Sequence, residues 1–198
     1  MNKELIKKAI FALKDGKIIC YPTDTLYGLG ADIFNKNAVK KIFNIKKRPF
    51  NLPISIAVSD KKSIEEIAYT NHNSDLIIKK FLPGKLSIIL KKKDIIPKIL
   101  TGGTDKISIR IPDNKITKEL TDKFGPITCT SANVHNYPTP NLINEINMLF
   151  KDKISVYLDG GNLSSKPSTI IDLSSRKIKI LRVGSITKNQ ITEAIKNG

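Results

Sequence analysis

Four short polar segments of this chain carry residue types that could do chemistry. They are Thr23-Asp24-Thr25, Lys46-Lys47-Arg48, Ser131-Ala132-Asn133 and Pro167-Ser168-Thr169. Polar loops at strand ends are where α/β sheets usually bind their ligands. If the four segments converge, they combine several hydroxyls, one amide and two to four cations with few carboxylates. This composition favours an anionic ligand, above all a nucleoside triphosphate.

Arginine is rare in this chain, so its positions are informative. The chain has 34 basic residues against 18 acidic ones, a formal net charge of +16, and only Arg48, Arg110, Arg176 and Arg182 are arginines. Because a planar guanidinium binds two oxygens of a carboxylate or phosphate at once, each arginine marks a candidate anion contact. Arg176 lies in a predicted hairpin turn and is the exception. The overall charge is compatible with a nucleic-acid partner and also with solvated, lysine-rich helix faces.

Several familiar catalytic signatures are absent from the sequence. It has no Gly-x-x-x-x-Gly-Lys-Ser/Thr run, and Gly28-x-Gly30 lacks the third glycine of a dinucleotide-binding loop. His72 and His135 lie in polar or Pro-rich stretches, where we expect surface positions and no Ser/His/Asp set. Cys20 and Cys129 lie in apolar runs. We interpret them as small buried side chains and predict no metal site.

The elements that must position these segments predict a single α/β domain over residues 1–198. Apolar spacing predicts a helix over 3–15 and another that Asn35 caps and that ends at the cations 46–48. Further helices are predicted near 61–68, 73–81, 114–123, 141–150 and after Thr187, and strands at 17–21, 54–58, 86–90, 107–111, 127–130, 154–158, 168–173 and 177–183. Because some strands are linked by helices and others by hairpins, we predict a twisted mixed sheet flanked by helices.

The sequence predicts a cytoplasmic location and no membrane association. No apolar run approaches the roughly 18 residues that a membrane-spanning helix needs. The first residues, Met1-Asn2-Lys3-Glu4, do not begin a signal-peptide pattern.

Taken together, five motifs resemble the YrdC/TsaC family, the threonylcarbamoyl-AMP synthases. In order along the chain they are YPTDTLYGLG at 21–30, Lys-x-Arg-Pro at 46–49, Ser-x-Asn at 131–133, Ser168-Thr169 and Leu-Arg-Val-Gly at 181–184. The resemblance covers nearly the whole chain and implies a twisted α/β sheet around a basic cavity. It also implies the short, single-domain form, without the C-terminal extension of the longer members.

The resemblance implies a reaction and assigns residues to it. L-Threonine, bicarbonate (or CO2) and ATP with Mg²⁺ would give threonylcarbamoyl-adenylate and pyrophosphate, a nucleotidyl transfer. The product would feed a separate threonylcarbamoyl-transferase complex that makes N6-threonylcarbamoyladenosine at position 37 of tRNA. Lys46 and Arg48 would be the catalytic cations, on the nucleotide phosphates. The other implied contacts are Asn133 and Arg182 to the nucleotide, and Thr25, Arg110, Ser131 and Ser168 to threonine.

These residue types suit that chemistry. The threonine amine would capture CO2 as a carbamate, whose oxygen attacks the α-phosphorus while pyrophosphate leaves. Because several anions meet, the reaction needs cations and orientation more than a dedicated nucleophile. Some members carry a threonine-contacting His shortly after Lys-x-Arg-Pro, where this chain has the run 53–57, Pro-Ile-Ser-Ile-Ala. We interpret Asp24 as a turn residue that stabilises its loop and leave it outside the catalytic set.

Two other functions fit parts of the sequence. The charge of +16 would suit a non-catalytic module that binds tRNA or double-stranded RNA, although RNA-recognition aromatics and a KH-type Gly-x-x-Gly loop are missing. Weak RNA binding beside catalysis would fall steeply with salt. The same domain occurs in hydrogenase-maturation carbamoyltransferases, but two isolated cysteines cannot supply the zinc fingers of those proteins. We therefore favour the synthase.

Overall fold

The computed structural model describes residues 3–175 and 177–196, which form seven α-helices and eleven strands. The helices are α1 Lys3–Lys14, α2 Lys36–Lys46, α3 Lys61–Ile67, α4 His72–Phe81, α5 Lys115–Phe124, α6 Ile143–Phe150 and α7 Lys188–Lys196. The strands are β1 Ile19–Pro22, β2 Tyr27–Gly30, β3 Ile56–Ala57, β4 Ala68–Tyr69, β5 Leu86–Lys92, β6 Lys106–Arg110, β7 Ile127–Thr128, β8 Thr130–Ser131, β9 Val156–Tyr157, β10 Thr169–Asp172 and β11 Lys179–Arg182. Arg176, which the sequence predicts in a hairpin turn, lies outside the described residues.

Helix α2 brings the first cationic motif to the site. Asn35 caps it as predicted, because its side chain accepts hydrogen bonds from the backbone amides of residues 37 and 38. At the other end Lys47 adopts a left-handed backbone with φ 51°, which ends the helix and redirects the chain. As a result Lys46 is buried while Arg48, two residues later, is half-buried at a cavity.

The predicted mixed α/β fold is confirmed, but the strands divide between two sheets. The smaller sheet has the order β8-β2-β1-β9, and the larger one has β11-β10-β5-β6-β3-β7 with β4 paired to β5. Both contain parallel and antiparallel pairs, for example β1 with β9 and β1 with β2. The larger sheet pairs β10 with β5 in parallel and β5 with β6 antiparallel.

The predicted strand 127–130 divides in two at Cys129. Residues 127 and 128 pair with β3 of the larger sheet, whereas residues 130 and 131 pair with β2 of the smaller one. The Cys129 amide donates to the Ser55 carbonyl at 2.6 Å. The chain therefore passes from one sheet to the other at this residue, and the passage joins the two sheets.

Strand β2 shows why two glycines stand in the YPTDTLYGLG motif. A Cβ on Gly30 would lie 2.9 Å from the Ile19 side chain and 3.0 Å from the Tyr21 ring, and a Cβ on Gly28 would lie 3.3 Å from that ring. The Tyr21 hydroxyl, beneath them, donates to the Thr128 carbonyl at 2.9 Å. These glycines therefore make room for a buried tyrosine that links the two sheets.

The cysteines lie where the sequence predicts, whereas one of the two histidines does not. Cys20 and Cys129 are buried as predicted, and burial raises the pKa of both thiols. His72 is exposed as predicted, whereas His135 is half-buried with Nδ1 3.4 Å from Arg48 Nη1, so the expectation of a surface position is wrong for His135. Within residues 3–175 and 177–196, no helix has both the length and the hydropathy that crossing a membrane requires.

Candidate functional site

A cavity of about 480 Å³ lies where the two sheets meet. One face of the larger sheet forms its floor, with side chains from β5, β6 and β10, and strands β2 and β8 of the smaller sheet form a wall. Six of the eight predicted site residues line it: Thr25, Arg48, Arg110, Ser131, Ser168 and Arg182. The other two, Lys46 and Asn133, lie buried behind the wall. The fold thus brings together motifs that are far apart in sequence.

Arg110 projects into the middle of this floor and is held by the loop after β1. Its Nη2 lies 2.5 Å from Asp24 Oδ1, and its Nη1 donates to Thr25 Oγ1 at 3.2 Å. The side chains of Arg110 and Asp24 are each only 7% exposed, so the pair is shielded from water. Asp24 is therefore more than a turn residue, because its carboxylate fixes the direction of the guanidinium. Arg110 Nε and Asp24 Oδ2 are buried and find no hydrogen-bond partner among the residues that the structure describes.

Arg48 lies beyond one edge of the floor, against the segment that precedes β3. Its Nη2 donates to the Pro53 carbonyl at 2.8 Å, and Nη1 lies 3.4 Å from His135 Nδ1. Burial lowers the pKa of Arg48, although a guanidinium remains charged at physiological pH. Among the described residues no carboxylate forms a salt bridge with it, so its charge is available to an anionic ligand.

Arg182 lies at the opposite edge of the floor, on the outermost strand β11. Its Nε and Nη2 donate to the Ser168 carbonyl at 3.1 and 2.8 Å, which aligns the guanidinium with the start of β10. Burial and the nearby Arg110 charge lower the pKa of Arg182. Two like charges in one cavity repel each other, so binding an anion between them relieves the repulsion. Within the described part of the chain, no carboxylate forms a salt bridge with Arg182.

Lys46 supports the Ser131–Asn133 loop from behind. Lys46 is 1% exposed, and its ammonium donates to the Ser131 carbonyl, the Asn133 carbonyl at 2.8 Å and Asn133 Oδ1 at 3.0 Å. Burial, followed by the charge of Arg48, lowers the pKa of Lys46 to about 7. Three oxygens occupy the three ammonium hydrogens. A contact from Lys46 to nucleotide phosphates therefore stays a prediction, and the structure gives this lysine a supporting position.

Asn133 is equally engaged within the protein. Its Oδ1 also accepts from Ser131 Oγ at 2.5 Å, and its Nδ2 donates to the Tyr137 carbonyl. This amide fixes the loop that follows β8 and leaves Ser131 at the cavity wall. Its expected contact with a nucleotide likewise stays a prediction.

Sequence reasoning missed a set of hydroxyls on the cavity floor and rim. They are Ser55, Ser87, Ser108 and Thr139. Ser55 donates to Ser108 at 2.8 Å, and Ser87 forms a 3.0 Å hydrogen bond with Ser168. The alternation of β6 signals Ser108, because residues two apart on a strand share a face and Arg110 is the next one on that side. Thr139 lies between Pro138 and Pro140, in a stretch without periodicity, and gives no such signal.

The wall opposite the floor contributes a tyrosine. The Tyr27 hydroxyl accepts from the Gly160 amide at 2.9 Å and lies 3.0 Å from Asp159 Oδ1 and 2.7 Å from the Gly161 carbonyl. Burial raises the pKa of Tyr27 to about 12, so the hydroxyl stays protonated near neutrality. Tyr27 thereby ties the Asp159–Gly161 turn to the cavity wall.

The arrangement suits binding and orientation of anions. Three guanidiniums and several hydroxyls face one space, and none of the described residues that line it is an Asp or a Glu. Asp24 contacts the lining residue Arg110 in an ion pair. Within the part of the chain that the structure describes, no three His, Cys, Asp or Glu side chains converge as metal ligands.

Replacing Asp24 with asparagine tests the buried ion pair. We expect D24N to lower the free energy of unfolding by about 2 kcal/mol, because asparagine keeps an oxygen acceptor but removes the negative charge that pairs with the buried guanidinium. Denaturant unfolding measures this change. Asp122→Asn, which breaks an exposed pair with Lys118, is the matched control and should change the free energy by less than ~0.5 kcal/mol. Equal changes in the free energy of unfolding would mean that the buried Asp24–Arg110 pair contributes no more to stability than an exposed pair.

A family model and a curated relative both match most of this chain. The family model Sua5_yciO_yrdC, described as "Telomere recombination", matches residues 11–184. A Methanocaldococcus jannaschii protein named "Putative threonylcarbamoyl-AMP synthase" is 46% identical over 191 residues, which cover 94% of this chain and 90% of that protein.

Solved structures match over nearly the whole chain. Sua5 of Pyrococcus abyssi, crystallised in complex with L-threonine, has a TM-score of 0.91 and 33% identity over 96% of this chain. This chain spans only 57% of that longer protein. The crystal structure of E. coli YciO has a TM-score of 0.88 and 27% identity, covering 95% of this chain and 93% of that one.

Proposed function

This chain belongs to the Sua5/YciO/YrdC family, and from that membership we propose that it is a threonylcarbamoyl-AMP synthase. It would convert L-threonine, bicarbonate (or CO2) and ATP into threonylcarbamoyl-adenylate and pyrophosphate, as a nucleotidyltransferase. Relatives that carry the synthase name and the Pyrococcus abyssi protein bound to L-threonine support this function over a non-catalytic RNA-binding module.

The observation that carries the proposal is the order of the arginines along the cavity floor. The strand order β11-β10-β5-β6-β3 puts Arg182 at one edge and Arg110 further in, and Arg48 lies beside the segment that leads into β3. Arg110 is oriented by Asp24 and Thr25. Among the described residues, no carboxylate forms a salt bridge with Arg48 or Arg182, so both charges are available to a ligand. One cavity thus offers a place for an amino acid carboxylate flanked by two places for phosphates.

The proposed reaction has two bond-forming steps. The threonine amine forms a C–N bond with CO2, releasing a proton and giving a carbamate. Reaction of the amine with bicarbonate gives the same carbamate, and the hydroxyl group of bicarbonate leaves as water with a proton of the amine. A carbamate oxygen then bonds to the α-phosphorus of ATP while the bond to pyrophosphate breaks. Arg110 with Thr25 would hold the threonine carboxylate, while Arg48 and Arg182 would stabilise charge on the phosphates. Each such charge-assisted hydrogen bond contributes about 1.5 to 3 kcal/mol.

Mg²⁺ enters this proposal as part of the nucleotide substrate. Bound with the nucleotide, it would supply positive charge that offsets the negative charge of the phosphates. We further propose that the product passes to a separate transferase complex that modifies tRNA, and that any RNA contact of this chain itself is weak and dependent on salt.

The experiment that tests this function follows product formation directly. The protein is incubated with ATP, Mg²⁺, bicarbonate and isotopically labelled L-threonine, and mass spectrometry follows threonylcarbamoyl-adenylate alongside pyrophosphate release. We expect both products in equal amounts and only when all three substrates are present. No adenylate, together with retained tRNA binding at physiological salt, would instead support the RNA-binding module.

A further inference from the structure

The strongest unassigned feature of the cavity is a buried pair of hydroxyls beside Arg110. Ser87 is 3% exposed and Ser168 is 5% exposed, and their Oγ atoms are 3.0 Å apart. Both side chains line the cavity floor. The resemblance to known synthases assigns Ser168 to threonine but gives no role to Ser87.

Strand register fixes the position of Ser87 relative to Arg110. In the antiparallel pair of β5 and β6, Ile88 is opposite Ile109, which places Ser87 opposite Arg110. Directly opposed residues share a face of the sheet, with Cβ atoms roughly 4.5–5.5 Å apart. A ligand whose carboxylate contacts the Arg110 guanidinium would therefore extend its side chain past this hydroxyl pair.

The hydroxyl pair has hydrogen-bonding capacity to spare. Each serine hydroxyl offers one hydrogen and two lone pairs, and the bond between Ser87 and Ser168 uses one hydrogen and one lone pair. Arg182 Nη2 donates to Ser168 Oγ at 3.3 Å, which uses a lone pair of Ser168. One hydroxyl hydrogen and two lone pairs of the pair therefore remain, and whichever serine donates, at least one of these lone pairs belongs to Ser87. A ligand hydroxyl can donate to the latter and accept from the former, whereas a methyl group can do neither.

An apolar neighbour stands next to the hydroxyl pair on the same face. In the parallel pair of β10 and β5, Ile170 is the register partner of Ser87, and Ile170 also lines the cavity. Together they present a polar and an apolar surface side by side. A side chain with a hydroxyl and a methyl on one carbon, as in threonine, matches both.

We propose that Ser87 is a specificity-determining residue that hydrogen-bonds the side-chain hydroxyl of the amino acid substrate; this assignment rests on the proposed synthase function. Valine is the informative competitor, because it has the shape of threonine with a methyl in place of the hydroxyl. Bound valine would leave the desolvated pair Ser87–Ser168 with unmet hydrogen-bonding capacity, and sites built to bind a substrate hydroxyl reject analogues that lack it.

The test compares kcat/KM for L-threonine and L-valine in the adenylate assay. For Ser87→Ala we expect the threonine-to-valine ratio to fall about tenfold or more, as the loss of one buried hydrogen bond predicts, with KM for ATP within about twofold of the unsubstituted protein. Ser87→Cys, which keeps the size but donates weakly, should give an intermediate ratio and guards against misfolding of the alanine variant. Ser55→Ala removes a hydroxyl of the other floor pair and should leave the ratio unchanged.

The outcomes separate the two proposals. If the unsubstituted protein makes the adenylate and both Ser87 variants keep its full threonine-to-valine ratio, the assignment of Ser87 is wrong while the synthase function stands. If the unsubstituted protein makes no adenylate, the synthase function is wrong. In that case calorimetric titration with L-threonine and L-valine decides on Ser87 alone. A preference for threonine that Ser87→Ala abolishes would support the assignment, and equal affinity of the unsubstituted protein for both amino acids would overturn it.

Discussion

Replacing Arg48 with alanine is expected to lower kcat/KM for adenylate formation by about 100-fold or more, the loss seen when a preorganised electrostatic donor is removed. Arg48 is already oriented before a ligand binds, since its Nη2 donates to the Pro53 carbonyl at 2.8 Å. Charge that develops on the phosphates therefore meets a fixed guanidinium with little reorganisation. The adenylate assay with saturating and limiting ATP separates the effect on kcat from that on KM.

Two further variants show whether the effect of Arg48 is local. Arg48→Lys keeps the charge but loses the planar fork, so we expect activity between those of the alanine variant and the unsubstituted protein. Lys47→Asn removes the neighbouring, exposed charge, and asparagine tolerates the left-handed backbone at φ 51°. Its activity should stay within about twofold. If the Arg48→Ala and Lys47→Asn variants lose activity to the same extent, general surface charge would be responsible.

Replacing Lys46 with methionine is expected to affect stability as well as activity. Methionine approximates the length of the lysine side chain but cannot donate, so three oxygens of Ser131 and Asn133 lose their shared partner. We expect the free energy of unfolding to fall by about 3 kcal/mol, and adenylate formation to fall by about 100-fold because the loop that carries Ser131 is released. Denaturant unfolding and the adenylate assay measure the two effects.

A lysine on the same helix provides the control. Lys41 Nζ donates to one carbonyl, that of Gly16, at 3.0 Å. Lys41→Met should therefore lower the free energy of unfolding by less than ~1 kcal/mol. A Lys46→Met variant that unfolds like Lys41→Met would contradict the supporting role of Lys46.

The difference in the free energy of unfolding between the unsubstituted protein and the Lys46→Met variant should also depend on pH. Burial and the charge of Arg48 lower the pKa of Lys46 to about 7, whereas the pKa of a lysine in an unfolded chain is about 10.4. Below pH 7 both states hold the proton, so the difference in unfolding free energy is constant. Between pH 7 and ~10.4 the unfolded state holds a proton that the folded state has released, so the unsubstituted protein gains stability as pH rises. Unfolding at pH 6 and pH 9 tests this, and an equal difference at both would show that the pKa is not lowered.

Most of the secondary structure was predictable because its signals are local. Asn35 caps α2 through its own side chain, and the apolar residues of α1 recur at helical spacing. Strands β10 and β11 form an antiparallel pair, as their alternating pattern and short connection predict. The division of 127–130 between two sheets was not predictable, because it depends on hydrogen bonds that the amides of Thr128 and Cys129 donate to the carbonyls of Ala31 and Ser55, which are distant in sequence.

The sequence by itself determined the chemical identity of the site. The rarity of arginine and the four polar segments indicated an anion-binding cavity, and six of the eight residues named from the sequence line one. Residue type is enough for that inference, because only certain side chains bind carboxylates and phosphates.

Only the tertiary structure decided which of those residues face the cavity and which support it. Lys46 is separated from Arg48 by one residue, yet the left-handed turn at Lys47 buries the first and brings the second to the cavity. The structure likewise gave Asp24 its partner Arg110 and placed Ser87 on the floor. The physical reason is that burial and hydrogen-bond partners arise from contacts between segments that can be 107 residues apart, as Tyr21 and Thr128 are, or more. No local pattern encodes such contacts.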